Sequence, residues 1–295
     1  MNYKIFILIG ILVLIGGGIF LTQREKISKM ETSIEKGEKV EVEKEESKTE
    51  EKEEFLEEKK KEASEITLIS VYDNYQVNPE LKTAWGLGLV IETSFEKILF
   101  DTGGDSSILL FNMKKLGIDP KSINKVIISH IHEDHLGGLE GFLKENNQVL
   151  VYIPSSFPDS VRKMIKSYGA NFVDISRAQE ISEFVYSTGE LYGPPKEQSL
   201  VVNSKKGLIV ITGCAHPGIV DVVEKAKEIF PQKNIYLVLG GFHHPPRKIV
   251  YELKKLKVEK VAPSHCSGDL IIEAFKKEYE ENFIKNGVGR IIKIK

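Results

Sequence analysis

Ser129-His130-Ile131-His132-Glu133-Asp134-His135-Leu136-Gly137-Gly138 stands directly after the apolar run Val126-Ile127-Ile128. Three imidazoles and two carboxylates fall between His130 and His135. An apolar core offers such groups nothing to pair with, so a strand that buries Val126 to Ile128 must end where the cluster begins. Leu136-Gly137-Gly138-Leu139 then predicts a tight turn into a helix. His130 and His132 lie two apart and point the same way from extended backbone, while Asp134 and His135 follow on the turn. A solvated loop, or one core histidine with charged neighbours, explains a lone imidazole better than it explains three. Imidazole with carboxylate suits zinc, iron or manganese, and the cluster is dense enough for two ions.

Four more polar clusters interrupt apolar runs in the same way. Asp101-Thr102-Gly103-Gly104 ends the run Lys97–Phe100, and Gly213-Cys214-Ala215-His216-Pro217-Gly218 follows Leu208–Thr212. Gly240-Gly241-Phe242-His243-His244 follows Ile235–Leu239, and Pro263-Ser264-His265-Cys266-Ser267-Gly268 follows Val258–Ala262. Six of the seven histidines sit at these strand ends and the seventh, His244, adjoins one, which points to one convergent site. The two cysteines, Cys214 and Cys266, lie inside the same clusters and read as site residues more than as a disulfide.

Around the clusters the chain predicts early strands at Ile66–Tyr72, Leu87–Glu92 and Lys97–Phe100, then helix Ser106–Leu116, strand Lys125–Ile128, helix Leu139–Glu145, strand Gln148–Ile153 and helix Phe157–Tyr168. Strands Asn171–Asp174, Phe184–Ser187, Leu200–Asn203 and Leu208–Thr212 come next. The last third alternates: helix Ile219–Ile229, strand Ile235–Leu239, helix Lys248–Leu256, strand Val258–Ala262, helix Leu270–Glu278 and strand Arg290–Lys293. Hairpins followed by β–α alternation imply sheets covered by helices, not a simple doubly wound sheet.

The amino-terminal part differs. Residues 5–21 are uncharged and almost wholly apolar, enough for a helix of about 25 Å, and predict an uncleaved membrane anchor ahead of a cleaved signal segment. Residues 22–65 carry eleven Lys or Arg and sixteen Glu, a charged tether. The expected organisation is therefore anchor 1–21, tether 22–65 and one catalytic domain 66–295, membrane-anchored by a single segment with its side undetermined. The domain is close to neutral and shows no basic stripe that would argue for a nucleic-acid partner. Oligomeric state is not written in the sequence.

With these residues in place, the chain resembles the metallo-β-lactamase fold superfamily. SHIHEDHLGG matches its H-x-H-x-D-H motif, FDTGG its upstream aspartate motif and PSHCSG its last histidine motif, across about residues 66–295. The resemblance implies an αββα sandwich, two face-to-face mixed β-sheets flanked by helices. It implies a binuclear centre of two divalent ions, zinc first and iron or manganese as alternatives. His130 and His132 would bind one ion, Asp134, His135 and His265 the other, and Asp101 would steady a ligand from behind. Glu133 would be a surface carboxylate. Cys214 takes the place of an aspartate that bridges the ions in many members, and His216 becomes the candidate for a missing imidazole. GCAHPGI, GGFHH and HCSG narrow the resemblance to the group containing archaeal dihydropterin–ribofuranosylaminobenzene phosphate synthases. There His243 would meet substrate and act with Asp134 in catalysis, and Ser267 with Gly268 would bind an anionic group. The implied activity is a metal-dependent hydrolase acting through activated water on a small phosphorylated or anionic substrate. A dihydropterin-transferring synthase and a non-catalytic, membrane-tethered metal or ligand sensor are the alternatives.

Overall fold

The computed structural model describes residues 62–295. Strands β1 (Ile66–Asp73), β2 (Leu87–Glu92) and β3 (Lys97–Phe100) run antiparallel, the β2–β3 turn being closed by Thr93, whose Oγ1 accepts from the Phe95 and Glu96 N–H groups. The chain then becomes βαβ. Helix α1 (Ser106–Lys115) carries it to β4 (Lys125–Ile127), α2 (Glu133–Leu136) and α3 (Leu139–Glu145) to β5 (Leu150–Pro154), and α4 (Asp159–Ser167) to β6 (Asn171–Ile175), with β3 to β6 parallel. Asp105 starts α1 by accepting from the N–H groups of Ser107 and Ile108.

The second half repeats the scheme. β7 (Arg177–Ser182), β8 (Val185–Gly189), β9 (Leu200–Ser204) and β10 (Gly207–Thr212) form an antiparallel meander. Helix α5 (Ile219–Ile229) leads to β11 (Ile235–Gly241) and α6 (Lys248–Lys255) to β12 (Lys260–Ser264), both parallel to β10. Helix α7 (Asp269–Tyr279) precedes β13 (Ile291–Ile294), which returns to the first sheet beside β1. The sheets have the orders β13-β1-β2-β3-β4-β5-β6 and β12-β11-β10-β9-β8-β7.

Alternate residues decide the layers. Ile66, Leu68, Leu89, Ile98, Phe100 and Ile127 of the first sheet pack on Leu200, Val202, Ile209, Ile211 and Leu237 of the second. Their neighbours Val71, Val90, Leu99, Val126 and Ile128 face Leu109, Met113, Phe142 and Ile165 of the helices. On the far side Val201, Val210, Val238 and Val261 meet Val222, Val223, Leu253 and Phe275. Both faces of the central strands are buried, so they read as unbroken apolar runs. The result is the αββα sandwich.

Among the strands, β7 is the one with no sequence expectation. Its Arg177-Ala178-Gln179-Glu180 face solvent at a sheet edge, so neither apolar alternation nor an apolar run marks it. The membrane-anchored expectation is corrected: no helix among the described residues is long and apolar enough to cross a membrane. Residues 1–21 and most of the expected tether lie outside the described residues. Upstream of Ile66, Ala63 is buried and exchanges backbone hydrogen bonds with Asn203 and Lys205, which places tether residues against β9.

Candidate metal centre

The parallel pairing sets the site. In the first sheet β3 and β4 run side by side, so Asp101 and the Ser129–His135 loop leave the same edge. In the second, Thr212 pairs with Gly240 and Gly240 with Pro263, so the loops bearing Cys214, His243 and His265 leave together. Two close approaches shape the site, the first joining the two edges and the second lying within the second sheet. A Cβ on Gly213 would sit 2.2 Å from Ser129 Oγ, and one on Gly240, which has φ +121°, would sit 1.9 Å from the Thr212 carbonyl.

His130, His132 and His216 bring one nitrogen each within 4.8 Å of one another, and Asp134, His135 and His265 form a second such group. Cys214 lies with His130 and His135, its Sγ 3.2 Å from His135 Nε2. The hydrogen bonds behind these groups fix which nitrogens are bare. Asp101 accepts from the Ser129 N–H and hydroxyl, each at 2.7 Å, and from His135 Nδ1 at 2.7 Å. The Ser129 hydroxyl has given its proton away and so accepts from His130 Nδ1 at 2.9 Å. His216 Nδ1 donates to Glu197 at 2.8 Å and His265 Nδ1 to Asn74 Oδ1 at 2.9 Å. Nε2 of His130, His135, His216 and His265 is thereby left as a lone pair aimed inward.

Two of those lone pairs face each other and a third, on His216, faces no hydrogen-bond partner. His135 Nε2 faces His265 Nε2 at 3.2 Å, and His130 Nε2 faces His132 Nδ1 at 3.1 Å. His216 Nε2 is buried with no hydrogen-bond partner. Converging acceptors of this kind repel until a cation sits among them, so the residues present fit divalent metal. Burial, then the charge of His265, lowers the pKa of His135 to about 3, and burial lowers His130, His132 and His243 as well. Neutral imidazole is the form that binds metal. For Asp134, burial acts to raise the pKa, but the neighbouring His265 imidazole, whose Nε2 lies 3.2 Å away, and His135 outweigh it, and the pKa falls. The Cys266 hydrogen bond and burial push the Cys214 thiol up, so the thiol keeps its proton unless a cation displaces it.

Of the expected site residues, His130, His132, Asp134, His135, His216 and His265 converge, with Cys214 among them and Asp101 behind. His243 stands at the rim: it is exposed, with its ring centroid 4.4 Å from that of His216 and φ +50°. Ser267 and Gly268 are placed otherwise. The Ser267 hydroxyl donates to the Ser264 carbonyl and accepts from the Phe242 N–H, and Gly268 lies under the His244 ring. In this arrangement the Ser267 hydroxyl closes a turn and its proton is spent on the Ser264 carbonyl.

Sequence reasoning missed Glu197, which is buried and accepts from the N–H groups of Cys214, Ala215 and His216, from Thr212 Oγ1 and from His216 Nδ1. Burial acts to raise its pKa, but these hydrogen bonds and the His130 charge win and lower it. The available signal was Lys196-Glu197-Gln198-Ser199 before an apolar strand. Because β9 is antiparallel to β10, its start lies at the edge where β10 ends. Asn74 was missed for another reason: it stands just beyond the end of β1, at the edge where β3 also ends, but a single amide there carries no ligand pattern.

Comparison with known proteins agrees with this geometry. Residues 88–265 match the metallo-β-lactamase superfamily. The chain belongs to that superfamily. The 7,8-dihydropterin-6-methyl-4-(β-D-ribofuranosyl)-aminobenzene-5'-phosphate synthase of Methanocaldococcus jannaschii is 31% identical, over 77% of this chain and 95% of its own length. Tm1679, a solved metal-dependent hydrolase of the β-lactamase superfamily, superimposes with a TM-score of 0.65 at 27% identity, covering 77% of this chain and 98% of its own. The short form of human tRNase Z shares the fold at a TM-score of 0.55 and 15% identity, over 77% of this chain and 98% of its own.

Proposed function

We propose that this protein is a metal-dependent hydrolase that uses two divalent ions, zinc first, on a phosphate group of a small substrate. The observation that carries the reading is the pair of ligand triads, His130/His132/His216 and Asp134/His135/His265, with the Cys214 thiol between them. When bound, such ions supply Lewis-acid polarisation of a phosphate oxygen and a water acidic enough to ionise near neutral pH. The chain's own residues do the rest. Asp101, Ser129, Glu197 and Asn74 hold His135, His130, His216 and His265 in the tautomer that presents a bare nitrogen. Asp134 keeps its negative charge at the half-open side of the site. His243, neutral and exposed beside His216, is positioned to take or return a proton at a substrate oxygen.

A second reading keeps the same centre and changes the acceptor. The likeness to the archaeal synthase supports transfer of a dihydropterin group, with a phosphate or pyrophosphate leaving and a carbon nucleophile attacking. A panel of phosphodiesters and dihydropterin phosphate esters, incubated with metal-loaded protein, tests both. Metal-dependent turnover of phosphodiesters in water supports hydrolysis. Release of phosphate or pyrophosphate only when an aminobenzene acceptor is added supports transfer. No metal-dependent turnover of either class overturns the enzyme reading in favour of a sensor.

A further inference from the structure

Trp85, the one tryptophan of the chain, is 55% exposed, although an indole usually gains by burial. Its ring lies 4.9 Å from the ring of His265, tilted by 55°, and more than half of the residue stays open to solvent. The backbone that carries it is held in place. A Cβ on Gly86, at φ +139°, would meet the Asp134 carbonyl at 2.4 Å, and a Cβ on Gly104 would lie 3.7 Å from the Trp85 carbonyl. At the other triad the exposed His243 ring stands beside His216. Tyr192 is 87% exposed, and a Cβ on the next residue, Gly193, would touch the His216 backbone at 2.7 Å. Phe95, by contrast, is exposed but packs on Phe184, far along the β2–β3 turn. Exposed rings therefore flank the two triads.

We infer that Trp85 is a specificity-determining residue, a platform on which the planar heteroaromatic ring of the substrate stacks while its phosphate reaches the metal ligands. The inference rests on the phosphate reading above and adds the ring to it. The Trp85 backbone is confined by its neighbours and the indole leans on the His265 ring, so stacking on it costs less side-chain entropy than ordering a free ring would. Stacking on an aromatic face tolerates many planar rings, while the fixed separation of ring platform and ligand triads selects how far the phosphate stands from the ring.

Having one tryptophan makes the test direct. Full-length, zinc-loaded protein is titrated with 7,8-dihydropterin, with ribose 5-phosphate and with inorganic pyrophosphate. Binding is followed by calorimetry and by tryptophan emission, and zinc content is measured on every variant. The expected result is that dihydropterin quenches the emission and that Trp85→Ala raises its Kd about tenfold. Trp85→Phe restores most of the affinity, and zinc content stays unchanged. Ribose 5-phosphate and pyrophosphate bind with a Kd that Trp85→Ala does not move. Dihydropterin that fails to bind, or binds equally well to Trp85→Ala, overturns the ring platform. If pyrophosphate binds in that case, the phosphate reading survives without it. If dihydropterin binds through Trp85 and pyrophosphate does not bind at all, the ring platform stands and the phosphate reading fails.

Discussion

Glu197 illustrates how one buried side chain organises a whole ligand loop. Its two oxygens take five donors from Thr212, Cys214, Ala215 and His216, and a charge held by that many hydrogen bonds is stable where an unpaired one is not. Glu197→Gln keeps the shape but replaces one acceptor with an NH₂ group that confronts backbone N–H donors. We expect the variant to fold, to lose His216 as an oriented ligand and to bind zinc about 10–100-fold more weakly at that triad, as read by competition with a chromophoric chelator. Asp101→Asn should weaken the other triad by a similar factor, because its amide end would meet the Ser129 and His135 donors. Equal zinc affinity in either variant would remove the tautomer argument. The ligands were legible because they cluster in sequence as well as in space. Glu197 was not, because antiparallel pairing brings it to the site from the opposite chain direction, and Asn74 was not, because one amide after a strand carries no ligand pattern.

The elements show the same division between what a run of residues reveals and what pairing decides. Strands with two buried faces, such as Leu208 to Thr212, announce themselves as apolar runs. Edge strand β7 exposes four residues in a row, Arg177 to Glu180, and among the described residues it pairs with β8 alone, so its identity comes from its neighbour. The four-residue helix α2 escaped notice because the ligand cluster itself forms it, with His135 buried on its inner side. Crossing points leave sharper expectations. Gly240→Ala puts a Cβ into the Thr212 carbonyl at a φ that L side chains rarely adopt, and should destabilise the chain by about 2–4 kcal/mol in denaturant unfolding. Phe142→Ala on α3, which opens a cavity in the fully buried layer over the first sheet, should cost about 3–5 kcal/mol. A loss under about 1 kcal/mol at either position would mean that the packing around it differs from this description.

Across the whole molecule, two sheets each contribute half a centre. Asp101 and the His130–His135 loop come from the first, and Cys214, His216, His243 and His265 from the second, so a bound ion ties the layers together. Anything that binds the folded state alone adds to its stability. Stripping metal with a chelator should therefore lower the thermal midpoint by several degrees, and zinc should restore it. We also propose that residues 62–295 suffice for this behaviour, since the described residues close their own core. The most direct measurement is the metal content of purified protein, determined by mass spectrometry of the ions beside parallel His130→Ala and His265→Ala variants. The account predicts two ions per chain in the parent and about one in each variant. One ion or none in the parent, or two retained in both variants, would contradict it.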